Sequence, residues 1–139
     1  MLGKLLQQGF AEGRDLNCAE TILYGANEAY NLGLDSDALK LAAGFGGGMA
    51  IESVCGALTG AIMVLGKLFV EERAHQSPRL KELTKELLVR YGQEMGSIQC
   101  DALKESYRTE EKKCRDVIEK AAMVLDEVIL TGSHREAPD

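Results

Sequence analysis

Apolar residues recur at three- and four-residue steps along nearly all of the 139 residues, and no segment alternates apolar and polar positions between hairpin turn signals. This pattern predicts an all-α fold, a compact bundle of about six or seven helices. Leu2, Leu5, Leu6 and Phe10 form a first stripe that ends at Gly13, and Asp15 or Asn17 is placed to cap a second helix running to about Tyr30. Ser36 with Asp35 or Asp37 caps a short third helix. The Gly-rich stretch Gly44 to Ala50 then reads as the most flexible part of the chain.

Ser53 is expected to cap the most apolar helix, in which Val54, Leu58, Ile62, Leu65 and Phe69 share one side, as suits the centre of a bundle. Pro78 fits the first turn of a fifth helix carrying Leu80, Leu83, Leu87, Leu88 and Tyr91, which Gly92 weakens and Gly96 stops. Ser97 and Thr109 offer caps for two further helices, the last packing Val117, Ala121, Val124, Leu125 and Val128. One domain spans residues 1–131, and residues 132–139 read as a flexible C-terminal tail.

A formal net charge of −6 argues against nucleic acid as a partner, since such a surface needs Lys and Arg gathered on one face. The one basic cluster, Lys112, Lys113 and Arg115, is diluted by Glu110, Glu111 and Asp116. The longest apolar run, Val54 to Gly66, falls short of the roughly 20 residues that span a bilayer, so no membrane partner is expected. The N-terminal apolar run breaks too early for a secretory signal, which points to the cytoplasm. A homodimer through an apolar face is compatible with the pattern, although no heptad seam persists.

Four cysteines carry the chemistry. Cys18, Cys55 and Cys100 follow the expected caps Asn17, Ser53 and Ser97 by one, two and three residues, so each falls in a first helical turn. There the positive end of the helix dipole and unpaired N–H groups favour a thiolate, which suits redox chemistry or metal ligation. In an up-and-down array the second, fourth and sixth helices begin at one end, so the three thiols converge. Cys114, about five residues into the last helix, and Cys100, about eight before the intervening turn, reach similar heights at 1.5 Å per residue. All four thiols can therefore share one site, with Lys112, Lys113 and Arg115 adding positive potential beside Cys114. Gly56 and Gly60 lie one turn apart beside Cys55, a face open to close approach by another backbone, a cofactor or a substrate.

The order Asn17-Cys18-Ala19-Glu20, Phe45-Gly46-Gly47-Gly48, Cys55-Gly56-Ala57-Leu58-Thr59-Gly60, Cys100 and Cys114 resembles the redox-active C_GCAxxG_C_C family, with Val54 where the family's name has a Gly. The resemblance implies a redox role with these four cysteines as functional residues, and leaves the redox partner unnamed. Two forms of that role stay open: thiol/disulfide exchange, and electron transfer by an iron-sulfur cluster on three or four thiolates. A structural zinc ion on the same thiolates is the non-redox alternative. Without Cys-x-x-Cys the site must be assembled by folding, and without Cys-x-x-Cys-His a c-type haem has no attachment point.

The remaining candidates read more plainly. Gly46-Gly47-Gly48 lacks the Lys and Ser or Thr of a phosphate loop and reads as a flexible connection that can gate the cysteines. His75 and His134 read as solvated, and Glu20, Glu28, Glu52, Glu71 and Glu72 as surface groups. Met49, Met63, Met95 and Met123 read as core fillers.

Overall fold

The computed structural model describes the backbone of residues 1–136 and the side chains of residues 1–133. Among the described residues there are seven α-helices and no strand: α1 Leu2–Gln7, α2 Cys18–Ala29, α3 Ser36–Leu39, α4 Gly56–Phe69, α5 Pro78–Met95, α6 Cys100–Tyr107 and α7 Arg115–Glu136. None of them is long and apolar enough to cross a membrane. The all-α bundle expected from the periodicity is the fold observed.

Helix α4 is the hub. Ala57, Leu58, Ala61, Val64 and Leu65 are fully buried, with α2, α5 and α7 packed around them. Its closest neighbour is α2, and glycine sets the approach. A β-carbon on Gly60 would stand 2.8 Å from the Ala19 carbonyl oxygen and 3.2 Å from the Ala19 Cα. The other wall of the core is α5 against α7, where Leu83, Leu87 and Tyr91 meet a chain of buried residues that includes Val117, Ala121, Val124 and Val128. Tyr91 is fully buried and its hydroxyl donates to the Val117 carbonyl oxygen at 3.1 Å, so its polar end is satisfied.

Local signals explain the helix ends. Asn17 and Glu20 form a reciprocal capping box on α2, Asp35 accepts from the Ala38 N–H at the start of α3, and Gly96 ends α5 in the left-handed region at φ 88°. Boundaries differ from the sequence expectation at the start of α4, where Cys55 and not Ser53 holds the cap position, at the start of α6, where Gln99 and not Ser97 does, and at both ends of α7. Thr109 does not open α7: its hydroxyl accepts from the Lys112 N–H, and Thr109 and Lys113 exchange backbone bonds that close a tight loop. Lys113, at φ 55°, turns the chain out of that loop, and helix resumes only at Arg115. At the other end α7 runs past the expected tail boundary to Glu136. Gly132 is buried there against Leu83 and Phe69, and its carbonyl accepts from Arg79 at 2.7 Å. The rest of the expected tail, residues 137–139, and the His134 side chain lie outside the described residues.

Among the methionines, Met63 and Met95 pack on the core as expected, whereas Met49 and Met123 are exposed. His75 is exposed in the connection between α4 and α5, in line with the solvated reading.

Helix α1 is too short to persist alone. It is held by Asp126 of α7, whose two carboxylate oxygens accept from the Leu2 N–H at 3.0 Å and the Gly3 N–H at 2.8 Å while the Tyr30 hydroxyl also donates to it. One carboxylate thus caps α1 from another helix and ties it to α2. Asp126→Ala is expected to cost about 2 kcal/mol, the upper range for losing a cap, and to release α1 before the rest of the bundle melts. Hydrogen exchange of residues 2–7 alongside a urea melt checks both parts; unchanged protection there would refute the tethering role.

Candidate functional site: a four-thiol cavity

All four cysteines stand at the beginning of a helix. Cys18 is the first residue of α2 and Cys100 the first of α6, Cys55 is the residue capping α4, and Cys114 immediately precedes α7. The sequence reading placed Cys114 five residues inside the last helix. Closure of the Thr109–Lys113 loop moves that helix start, so Cys114 obeys the same rule as the other three. Ser53 is likewise not the cap of α4, because its segment is engaged elsewhere.

That engagement assembles the site. Val54 and Gln99 form an antiparallel bridge, with the Cys55 N–H donating to the Ile98 carbonyl at 2.8 Å and the Cys100 N–H to the Ser53 carbonyl at 2.6 Å. Cys55 and Cys100 each follow a bridged residue, so they lie diagonally across the bridge on one face. Such neighbours have Cα atoms about 7–8 Å apart, just beyond the usual disulfide span. On the other side the Cys18 sulfur rests on the bare backbone of Gly56, the residue after Cys55.

The four thiols line one cavity of about 300 Å³. Leu16, Leu103, Val117 and Ile118 give it apolar walls, and Lys104, Arg108 and Lys113 supply three cations. Among the described residues no Asp or Glu side chain lines it. A neighbouring cavity of about 350 Å³ shares Leu16, Lys113, Cys114 and Ile118, so Cys114 borders both spaces.

The activation expected at the helix starts of Cys18, Cys55 and Cys100 does not hold at Cys55 or Cys100. Cys55 is 3% exposed, and burial pushes its thiol up to about 12; backbone N–H groups of Ala57 and Leu58 pull the other way without prevailing. The charges that Cys18 and Cys100 would carry as thiolates push Cys55 up further. Burial also raises Cys100, with Lys104 opposing. Loss of water thus outweighs the helix dipole at the two inner thiols. Cys18 and Cys114 are the half-buried pair.

The Gly-rich stretch, expected to be the most flexible part of the chain, is packed at Gly48. Gly47, Gly48, Met49 and Ala50 all have φ between 60° and 65°, a run of left-handed residues. Gly48 is buried: a β-carbon there would stand 2.5 Å from the Ser53 nitrogen and 2.8 Å from the Cys100 β-carbon. The turn is a packed support beneath Cys100, and Met49 and Ala50 occupy a region that costs roughly 1–2 kcal/mol per residue.

Gly56 and Gly60 do not offer a cofactor face. Helix α2 fills it with the Cys18 sulfur, the Ala19 backbone and Ile22. Of the three kinds of close approach the spacing allowed, backbone against backbone is the one found. Glu20 serves the α2 cap and Glu52 makes a 3.9 Å pair with Lys104.

The four thiols are all free. Thiol sulfur is the right donor for zinc or an iron-sulfur cluster, but among the described residues no three His, Cys, Asp or Glu side chains are grouped closely enough to hold one metal ion.

No curated protein and no solved structure matches the chain. Residues 16–128, the span that contains the α2 cap, all four cysteines and most of α7, match the family described as "Putative redox-active protein (C_GCAxxG_C_C)". The chain belongs to that family.

Proposed function

We propose that this chain is a thiol/disulfide redox protein in which two of the four thiols lining the shared cavity are oxidised to a disulfide and reduced again. The observation that carries this reading is the convergence of four free cysteines, remote in sequence, on one space of about 300 Å³. Cysteines that served only as small core hydrophobes would need no such meeting. Cys114 is the entry thiol: it is half-buried, borders both cavities and is followed directly by a helix start. Cys55 and Cys100, held as thiols by burial, are reserve groups that react only after a neighbour has been oxidised.

In the exchange a thiolate attacks a sulfur of the oxidant's disulfide, forming a mixed disulfide and expelling one thiolate. A second cavity thiol, giving its proton to water, attacks the mixed disulfide and expels the other. Two protein thiols lose two electrons, and one disulfide becomes two thiols.

The test is titration of fully reduced protein with diamide under argon. An internal disulfide among Cys18, Cys55, Cys100 and Cys114 is expected, read as the loss of two hydrogens in the intact mass and located by peptide mapping. Protein that yields only adducts or dimers would refute the reading.

The same donor set supports a second reading, an iron-sulfur cluster held by Cys18, Cys55, Cys100 and Cys114, which requires the thiols to draw closer than they stand here. Such a cluster would supply one-electron transfer, and the cations at the cavity would offset its negative charge. Iron and sulfide assays on protein purified without oxygen separate the two readings.

A further inference from the structure

The thiol cavity has a definite electrostatic character. In a chain of net charge −6 it gathers Lys104, Arg108 and Lys113, and among the described residues it has no acidic lining. Lys104 is partly matched by Glu52 at 3.9 Å, a pair half open to water and therefore weak. Arg108 and Lys113 make no ion pair among the described residues, unlike the neighbouring Lys112 and Arg115, which pair with Asp116 and Glu119. The left-handed conformation of Lys113 and the bridge to Thr109 fix its position between the two cavities. The starts of α2, α4, α6 and α7 meet here too, adding the positive ends of their dipoles. A volume of about 300 Å³ lies at the small end for ligand pockets, which suits a small molecule better than a folded partner's loop.

We infer that the oxidant taken by this cavity is a small anionic disulfide, a carboxylate-bearing R–S–S–R, held by Arg108 and Lys113 with its sulfurs at Cys114. This rests on the thiol/disulfide reading above and names its substrate class. The Cys114 thiolate attacks one sulfur to give Cys114–S–S–R and R–S⁻, which takes a proton from water. A second cavity thiol loses its proton to water, closes the protein disulfide and releases the other R–S⁻. The anchoring cations also stabilise the leaving thiolate, so they favour both steps.

The experiment compares three disulfides of different charge on the reduced full chain: dithiobis(nitrobenzoate), anionic; dithiodipyridine, neutral; and cystamine, cationic. Each rate is divided by that of the same reagent with a free small thiol, which removes intrinsic reactivity. At low salt the anionic reagent is expected to be favoured over the cationic one by about tenfold or more, a preference that salt erodes. Arg108→Gln and Lys113→Gln should each lower the normalised ratio, and together bring it to within about twofold of unity, with melting curves confirming that each variant is folded. A ratio near unity in the native chain, or one that both substitutions leave untouched, overturns the anionic class. If the native chain shows no charge preference yet still closes an internal disulfide, the redox reading stands and the substrate class falls. If the anionic reagent is preferred but only mixed disulfides form, the charge selection stands, while the dithiol reading and the two-step reaction built on it fall.

Discussion

Replacing Gly56 by alanine is expected to lower the stability of the chain by about 3 kcal/mol, the upper range for overpacking a core, and to shift its melting temperature down by about 10 °C. The first turn of α4 has no space for a methyl group: it would collide with the Cys18 sulfur, stand 2.7 Å from the Phe45 carbonyl oxygen and 3.3 Å from the Gly46 Cα. The Cys18 side chain can rotate away, but the two backbone contacts both belong to the Gly-rich stretch, so either that stretch or the start of α4 must move. Both movements displace a thiol: Cys55 stands at the start of α4, and the turn supports Cys100 through Gly48. Gly66→Ala provides the control within the same helix. Nothing lies within 4 Å of its β-carbon position, so the better helix former is expected to stabilise by up to about 1 kcal/mol. Urea melts of the two variants, with thiol titration of the folded protein, check the pair. A Gly56→Ala chain as stable as the native one would show that this contact does not hold the site together.

That contrast also shows what the sequence reveals. The spacing of Gly56 and Gly60 announces a close approach, but glycine is equally at home against a cofactor or a backbone, so the partner appears only in three dimensions. The convergence of Cys18, Cys55 and Cys100 is legible because the hydrophobic period locates helix starts to within a few residues, although of the three expected caps only Asn17 holds its place. Cys114 lies outside the helix expected for it because Thr109 followed by two glutamates looks like a helix opening, whereas Thr109 and Lys113 close a tight loop instead and Lys113 adopts a left-handed conformation that its residue type does not announce. Likewise the Gly-rich turn carries too few side chains to betray that Gly48 is packed under Cys100. The thiols' chemistry was the least legible part, since helix-end position and burial act in opposite directions and only burial depth decides between them.

Burial wins most clearly at Cys55, and the consequence is large in both reactivity and stability. A rise from an ordinary 9.0 to about 12 leaves the thiolate about a thousandfold scarcer at about pH 8, because each pKa unit is tenfold in the ionised fraction. With iodoacetamide on the reduced native chain, Cys18 and Cys114 are expected to react first and Cys55 at least about a thousandfold more slowly than it does in urea. The same rise makes stability depend on pH. Below about pH 9 the thiol is protonated both folded and unfolded and its contribution is fully present. Between about pH 9 and pH 12 the unfolded chain releases the proton while the folded chain keeps it, so stability falls as pH rises, by at most about 1.4 kcal/mol per pH unit. Tyr30 and Tyr91 are raised in the same sense, each chiefly by burial, and steepen the loss above about pH 10. Cys55→Ala should make the alkaline limb shallower between about pH 9 and pH 11, leaving the part contributed by Cys100, while Tyr30 and Tyr91 keep its upper part steep. Urea midpoints measured across that range decide the matter, and an alkaline limb identical in the variant would mean that Cys55 ionises in the folded protein as readily as in the unfolded chain.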